Sequence, residues 1–65
     1  MSFQNKHTYP TFVYANEKHY FADCSELNLV SIGESPSEAI ENLQAEVDNV
    51  LNGKLFSLKP IFEQK

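Results

Sequence analysis

The chain has 65 residues, with five Lys, no Arg and nine Asp plus Glu, for a net charge of −4. That length makes one domain with a thin core, since so short a chain buries only about 60% of the surface its unfolded form exposes. The lone cysteine, Cys24, rules out an internal disulfide and a multi-cysteine zinc site. The absence of a basic cluster speaks against direct contact with nucleic acid.

Residues 1–6, MSFQNK, read as a frayed tail of a single domain spanning 1–65. HTYPTFVYA, residues 7–15, is dense in β-branched and aromatic side chains and predicts a first strand. Pro10 cannot donate to a ladder and belongs at that strand's start or on an edge. Asn16 to Lys18 break the pattern. HYFADC, residues 19–24, predicts a second strand and hence a hairpin whose turn type is open. SELN reads as a loop, and LVSI, residues 29–32, as a short third strand that stops at Gly33.

GESPSE, residues 33–38, then announces a helix. Ser35 is the N-cap, Pro36 takes the first helical position, and Glu38 stands where a capping box needs it. Gly33 reads as a position whose backbone conformation is closed to other residues. Ile40, Leu43, Val47, Val50 and Leu51 form an apolar stripe, with Ala39 beside it. Asn52-Gly53 is the stop, with Gly53 in the left-handed cap position. LFSL, residues 55–58, predicts a fourth strand that Pro60 ends or marks as an edge, and IFEQK trails off. The expected fold is α+β, in the order β-β-β-α-β, with a small antiparallel or mixed sheet and one helix on one face.

All the aromatic residues lie outside the helix. Alternation sets Tyr20, Ala22 and Cys24 against His19, Phe21 and Asp23, and Thr11, Val13 and Ala15 against Pro10, Phe12 and Tyr14. One helix covers one face, so either choice of inner face leaves aromatics uncovered. Phe12, Tyr14, His19, Phe21 and Asp23 are the candidate interface for a partner or a second copy, because a small monomer should not leave a large apolar patch in water. A domain of this size also gains stability by self-association, so a dimer is expected.

Catalysis and metal binding find little support. His19 and Asp23 share a face but stand roughly 13 Å apart along a strand, too far for two ligands of one zinc. Cys24 has no base or cation beside it in the sequence to form a thiolate and reads as a small buried hydrophobe. Two-metal hydrolysis needs clustered carboxylates, and the strands offer only Asp23. Both glycines punctuate the helix, so there is no phosphate-cradling loop. No catalytic residue, metal or cofactor is expected. No apolar run approaches the roughly 20 residues of a membrane span, and the N-terminus lacks the apolar stretch of a signal peptide, so a cytoplasmic location is expected. The acidic balance suits a basic protein partner, and equally it keeps a small protein soluble.

The run from Tyr20 to Leu51 resembles the N-terminal domain of HicB-type antitoxins. Gly33, Glu34, Ser35, Glu38 and Ala39 match that family's strand-end and helix-start motif. Glu26-Leu27 match its loop, with Ser25 in place of the usual Pro, and Tyr9-Pro10 resemble the start of its first strand. The resemblance implies a degraded ribonuclease H-like domain without nuclease activity. Such a domain binds a small basic HicA-type toxin ribonuclease and masks its catalytic surface. Members that also bind DNA carry a further C-terminal domain, so no DNA contact is expected of these residues. The second reading is a stand-alone oligomeric domain that acts as a regulator or inhibitor of a partner other than a toxin.

Overall fold

A computed structural model describes residues 7–62, so the expected tail over residues 1–6 lies outside them. The elements are β1 (His7–Ala15), β2 (Tyr20–Cys24), a short 3-10 turn (Ser25–Leu27), β3 (Leu29–Gly33), α1 (Pro36–Leu51) and β4 (Phe56–Phe62). The sheet order is β3-β2-β1-β4. The first three strands pair antiparallel, and β4 lies parallel to β1, which makes the sheet mixed. The chain is therefore the expected α+β fold, with α1 packed on one face over β3 and β2.

Local chemistry explains each junction. The side-chain oxygen of Asn16 accepts from the N–H groups of Lys18 and His19, both at 2.8 Å, while its own N–H donates to the His19 carbonyl. This Asx turn closes the hairpin and takes His19 out of the second strand. The segment expected to be a loop after Cys24 is instead the 3-10 turn. Asn28 ends it in the left-handed region at φ 58°, a conformation that asparagine tolerates better than most residues.

Pro10 departs from expectation. It is the fourth residue of a nine-residue strand that has neighbours on both sides. The ladder with β2 begins only at Phe12, while β4 pairs along residues 7 to 13. Pro10 thus sits past the end of one ladder, where a missing donor on that side leaves nothing unpaired. The fourth strand also runs further than expected, from Phe56 through Pro60 to Phe62. Of the two expected roles Pro60 takes the edge one, since no strand lies beyond β4 among the described residues.

The core is small side chains beneath a helix. Ala22 and Cys24 of the sheet and Ala39, Leu43 and Val47 of α1 are fully buried together. Tyr9, Leu27, Leu29, Ile40, Leu51, Phe56 and Leu58 pack around them. The helix therefore faces the sheet through Ala39, Leu43 and Val47. Ile40 and Leu51 flank that line, and Val50 is 55% exposed, which corrects its place in the expected stripe. The hydroxyl of Ser31 is buried here without a hydrogen-bond partner among the described residues.

Gly33 is required for a reason other than the one expected. Its φ is not positive. A Cβ there would instead lie 2.5 Å from the backbone nitrogen of Ala39 and 2.9 Å from the carbonyl carbon of Glu38. The first turn of α1 stands directly on this residue. The cap is built as expected at Ser35, whose hydroxyl accepts from the Glu38 N–H at 3.1 Å. The carboxylate of Glu38, however, accepts from the N–H of Glu34 at 2.6 Å, one residue upstream of the usual capping-box donor. At the other end Asn52 is the left-handed residue, at φ 58°, with Gly53 following at φ 84°. The Asn52 N–H donates to the Asn49 carbonyl and that of Gly53 to Asp48, the bond pair of a Schellman stop.

Three stability predictions follow from this packing. Gly33→Ala forces backbone apart and is expected to destabilise by about 1–3 kcal/mol in urea unfolding; an unchanged midpoint would show that the helix can move away freely. Ser35→Ala is expected to cost about 1 kcal/mol through the lost cap. Ser31→Ala removes a buried hydroxyl that has no partner and is expected to be neutral or stabilising by up to about 1 kcal/mol. A clear loss of stability at that position would mean that the hydroxyl is bonded in solution.

Candidate interaction face

The helix decides which face of the sheet stays open. On the inner side Thr11, Val13, Ala22, Cys24, Ser31 and Gly33 are all buried, with α1 lying over those of β2 and β3. The opposite set points to the outer face, and the ladder register arranges it in rows. One row runs Val30, Asp23, Phe12, Ile61 across the four strands. The next runs Ile32, Phe21, Tyr14 across three. The rings of Tyr14 and Phe21 stack at 5.2 Å between centroids with an 18° interplanar angle, an offset arrangement that adds to apolar burial. Phe12 (48%), Val30 (52%) and Ile32 (47%) are still about half exposed. Phe12, Val13, Tyr14 and Ile61 line a shallow apolar hollow at the β1–β4 side.

Of the expected interface residues, Phe12, Tyr14, Phe21 and Asp23 come together on this face. His19 does not join their ladder. It is half-buried in the Asn16 turn, where its backbone closes the hairpin. The helix-start residues Gly33, Ser35, Pro36 and Glu38 sit at the junction of β3 and α1 and serve packing and capping. Val30, Ile32 and Ile61 belong to the face and were not among the expected residues. Alternation against Leu29 and Ser31 was a usable signal for the first two. Ile61 was hidden by the premature end given to the fourth strand at Pro60.

Charge is distributed unevenly. On the outer face the described charged residues are Asp23 on β2 and Lys59 on β4, with β1 between them. Asp23 is half-buried and has no ion-pair partner among the described residues. α1 carries Glu38, Glu41, Glu46 and Asp48 and no basic residue, and all four are exposed. At the far end the His7 Nε2 lies 3.2 Å from the Glu26 carboxylate on the 3-10 turn, an ion pair only when the imidazole is protonated, with the His7 ring edge-on to Tyr9.

Among the described residues no group of three or more His, Cys, Asp or Glu side chains is placed to hold a metal ion. No described helix is long and apolar enough to cross a membrane. Compared with family models, curated proteins and solved structures, the chain matches none.

Phe12 and Ile32 lie outside the buried cluster of Ala22, Cys24, Ala39, Leu43 and Val47. Phe12→Ser and Ile32→Ser are therefore expected to keep the far-UV circular dichroism spectrum and to reduce binding of an apolar dye. Leu43→Ala, in the core, is expected to lose about 2–5 kcal/mol. Unfolding by either outer substitution would mean that this face belongs to the core.

Proposed function

We propose that the chain is a cytoplasmic, non-catalytic protein-interaction domain of HicB type, which binds and masks a small basic HicA-type toxin ribonuclease. The observation that carries the interaction-domain reading is the uncovered sheet face, and the acidic α1 is the surface that a basic toxin would meet. In a domain this small, a continuous apolar surface of Phe12, Tyr14, Val30, Ile32 and Ile61 is a place for another protein. The β-β-β-α-β order and the Gly33–Ala39 helix start support the resemblance on which the toxin partner rests. The described residues hold eight carboxylates against three lysines. That balance suits a basic partner, because complementary potentials speed and orient encounter.

The second reading is a stand-alone oligomeric HicB-like domain that regulates or inhibits a partner other than a toxin. It is favoured by the makeup of the outer face, which is apolar and carries one charge of each sign, so it offers a strongly basic surface little to pair with. The acidic ridge of α1 is the better match for such a surface.

The two readings separate in one assay. The purified chain is titrated into an RNA-cleavage reaction run by a HicA-type ribonuclease. Cleavage is expected to stop near stoichiometric addition, and Glu41→Lys with Asp48→Lys is expected to weaken that inhibition by tenfold or more, an effect that added salt mimics. Undiminished cleavage with no complex on gel filtration would rule out the toxin reading for the ribonuclease tested.

A further inference from the structure

We infer that the outer sheet face is covered by a second copy of this chain, packed face to face about a two-fold axis that runs along β1. This rests on reading that face as an interaction surface, and it names the occupant.

Three observations point to a copy of the chain itself. First, the face is apolar across β3, β2, β1 and β4, with Phe12 in the middle row between Asp23 and Ile61. Stacked sheets bury such faces about 10 Å apart, with strand directions within about 30° of each other. Second, Asp23 is a half-buried carboxylate without an ion-pair partner among the described residues. A carboxylate among apolar side chains is unfavourable unless a donor or a cation reaches it. Third, the cation on the same face forms no ion pair with it within one chain. Lys59 pairs in register with Pro10, on the far side of β1 and two residues away from Ile61 in the Asp23 row.

A two-fold axis along β1 exchanges the two sides of the sheet. It lays the second copy's β2 over this chain's β4, and Phe12 over its own equivalent. Asp23 of one copy then stands above Ile61 of the other. Lys59 lies one row along, roughly 6.7 Å by strand rise and across the gap of about 10 Å between the sheets, a span closed because both side chains point into that gap and the lysine stem is long and flexible. Because the interface is isologous, both Asp23–Lys59 pairs form at once. The face is thus self-complementary in charge as well as apolar. The two acidic helices stay on the outside of the pair, free to meet a basic partner.

A charge swap followed by sedimentation equilibrium tests this on the full chain. The wild type is expected to be a dimer. Asp23→Lys and Lys59→Asp are each expected to weaken the dimer by about tenfold or more. The double variant Asp23→Lys/Lys59→Asp, which restores opposite charges, is expected to return to within roughly threefold of the wild type. Circular dichroism checks that each variant is folded. Lys59 is exposed on an edge strand, so Lys59→Asp and its salt dependence carry the test if Asp23→Lys unfolds. A wild-type chain that stays monomeric at high concentration overturns the inference, and so does a double variant no stronger than the singles. A dimer that survives Phe12→Asp also overturns it, because the copies then meet elsewhere, as at the β4 edge. The toxin titration is read separately. A monomer that still inhibits the ribonuclease leaves the functional reading standing, and a swap-rescued dimer that does not inhibit leaves the self-association standing.

Discussion

The first turn of α1 rests on Gly33 with no room for even a methyl group between them. This contact fixes the height of the helix above the sheet. The cap built from Ser35 and Glu38 fixes where the helix begins. With its start and its height set, Ala39, Leu43 and Val47 fall on the sheet, and Asn42 reaches the carbonyl of Ile32 on β3 at 2.8 Å. The Schellman stop at Asn52 and Gly53 then releases the chain to run as β4 beside β1.

A helix held this low admits only small side chains beneath it. The sheet supplies Ala22, Cys24, Ser31 and Gly33 there, at or near complete burial. Phe21, Val30 and Ile32 of the same strands, with Phe12 and Tyr14 of β1, alternate to the other side. The usual expectation that the biggest apolar groups form the core is thereby reversed for much of the sheet. Close packing under α1 and an apolar outer face are two consequences of one alternation. The exposed apolar face follows from the way the small core is filled.

The two sides of the molecule differ in kind. The helix side presents carboxylates without a basic residue on α1, and the sheet side is apolar with single charges of opposite sign flanking β1. A surface of the first kind selects partners by long-range charge, and one of the second kind by shape and a few registered pairs. The proposed roles, a basic partner at the helix and a second copy at the sheet, assign each surface the ligand its chemistry suits. They also let both be occupied together, as a dimeric masking protein would require.

Much of this was legible in the residues themselves. The element order, the span of α1, the N-cap at Ser35 and the membership of Phe12, Tyr14, Phe21 and Asp23 in one alternating set depend on local spacing and capping chemistry. Such features are settled within a few residues of chain. Which of its two expected roles Pro60 takes, an end or an edge, was not legible, because proline is tolerated or excluded according to whether a neighbouring strand lies beside it. The reason for Gly33 was also hidden, since it lies in the closeness of a helix turn that begins three residues later. His19 looked like part of a strand until the Asn16 side chain claimed its backbone. Above all, alternation alone divides each strand into two faces without saying which is inner. Only the tertiary structure decided that, because the choice rests on the fit of α1 over Ala22, Cys24, Ser31 and Gly33, a match between surfaces that are distant along the chain.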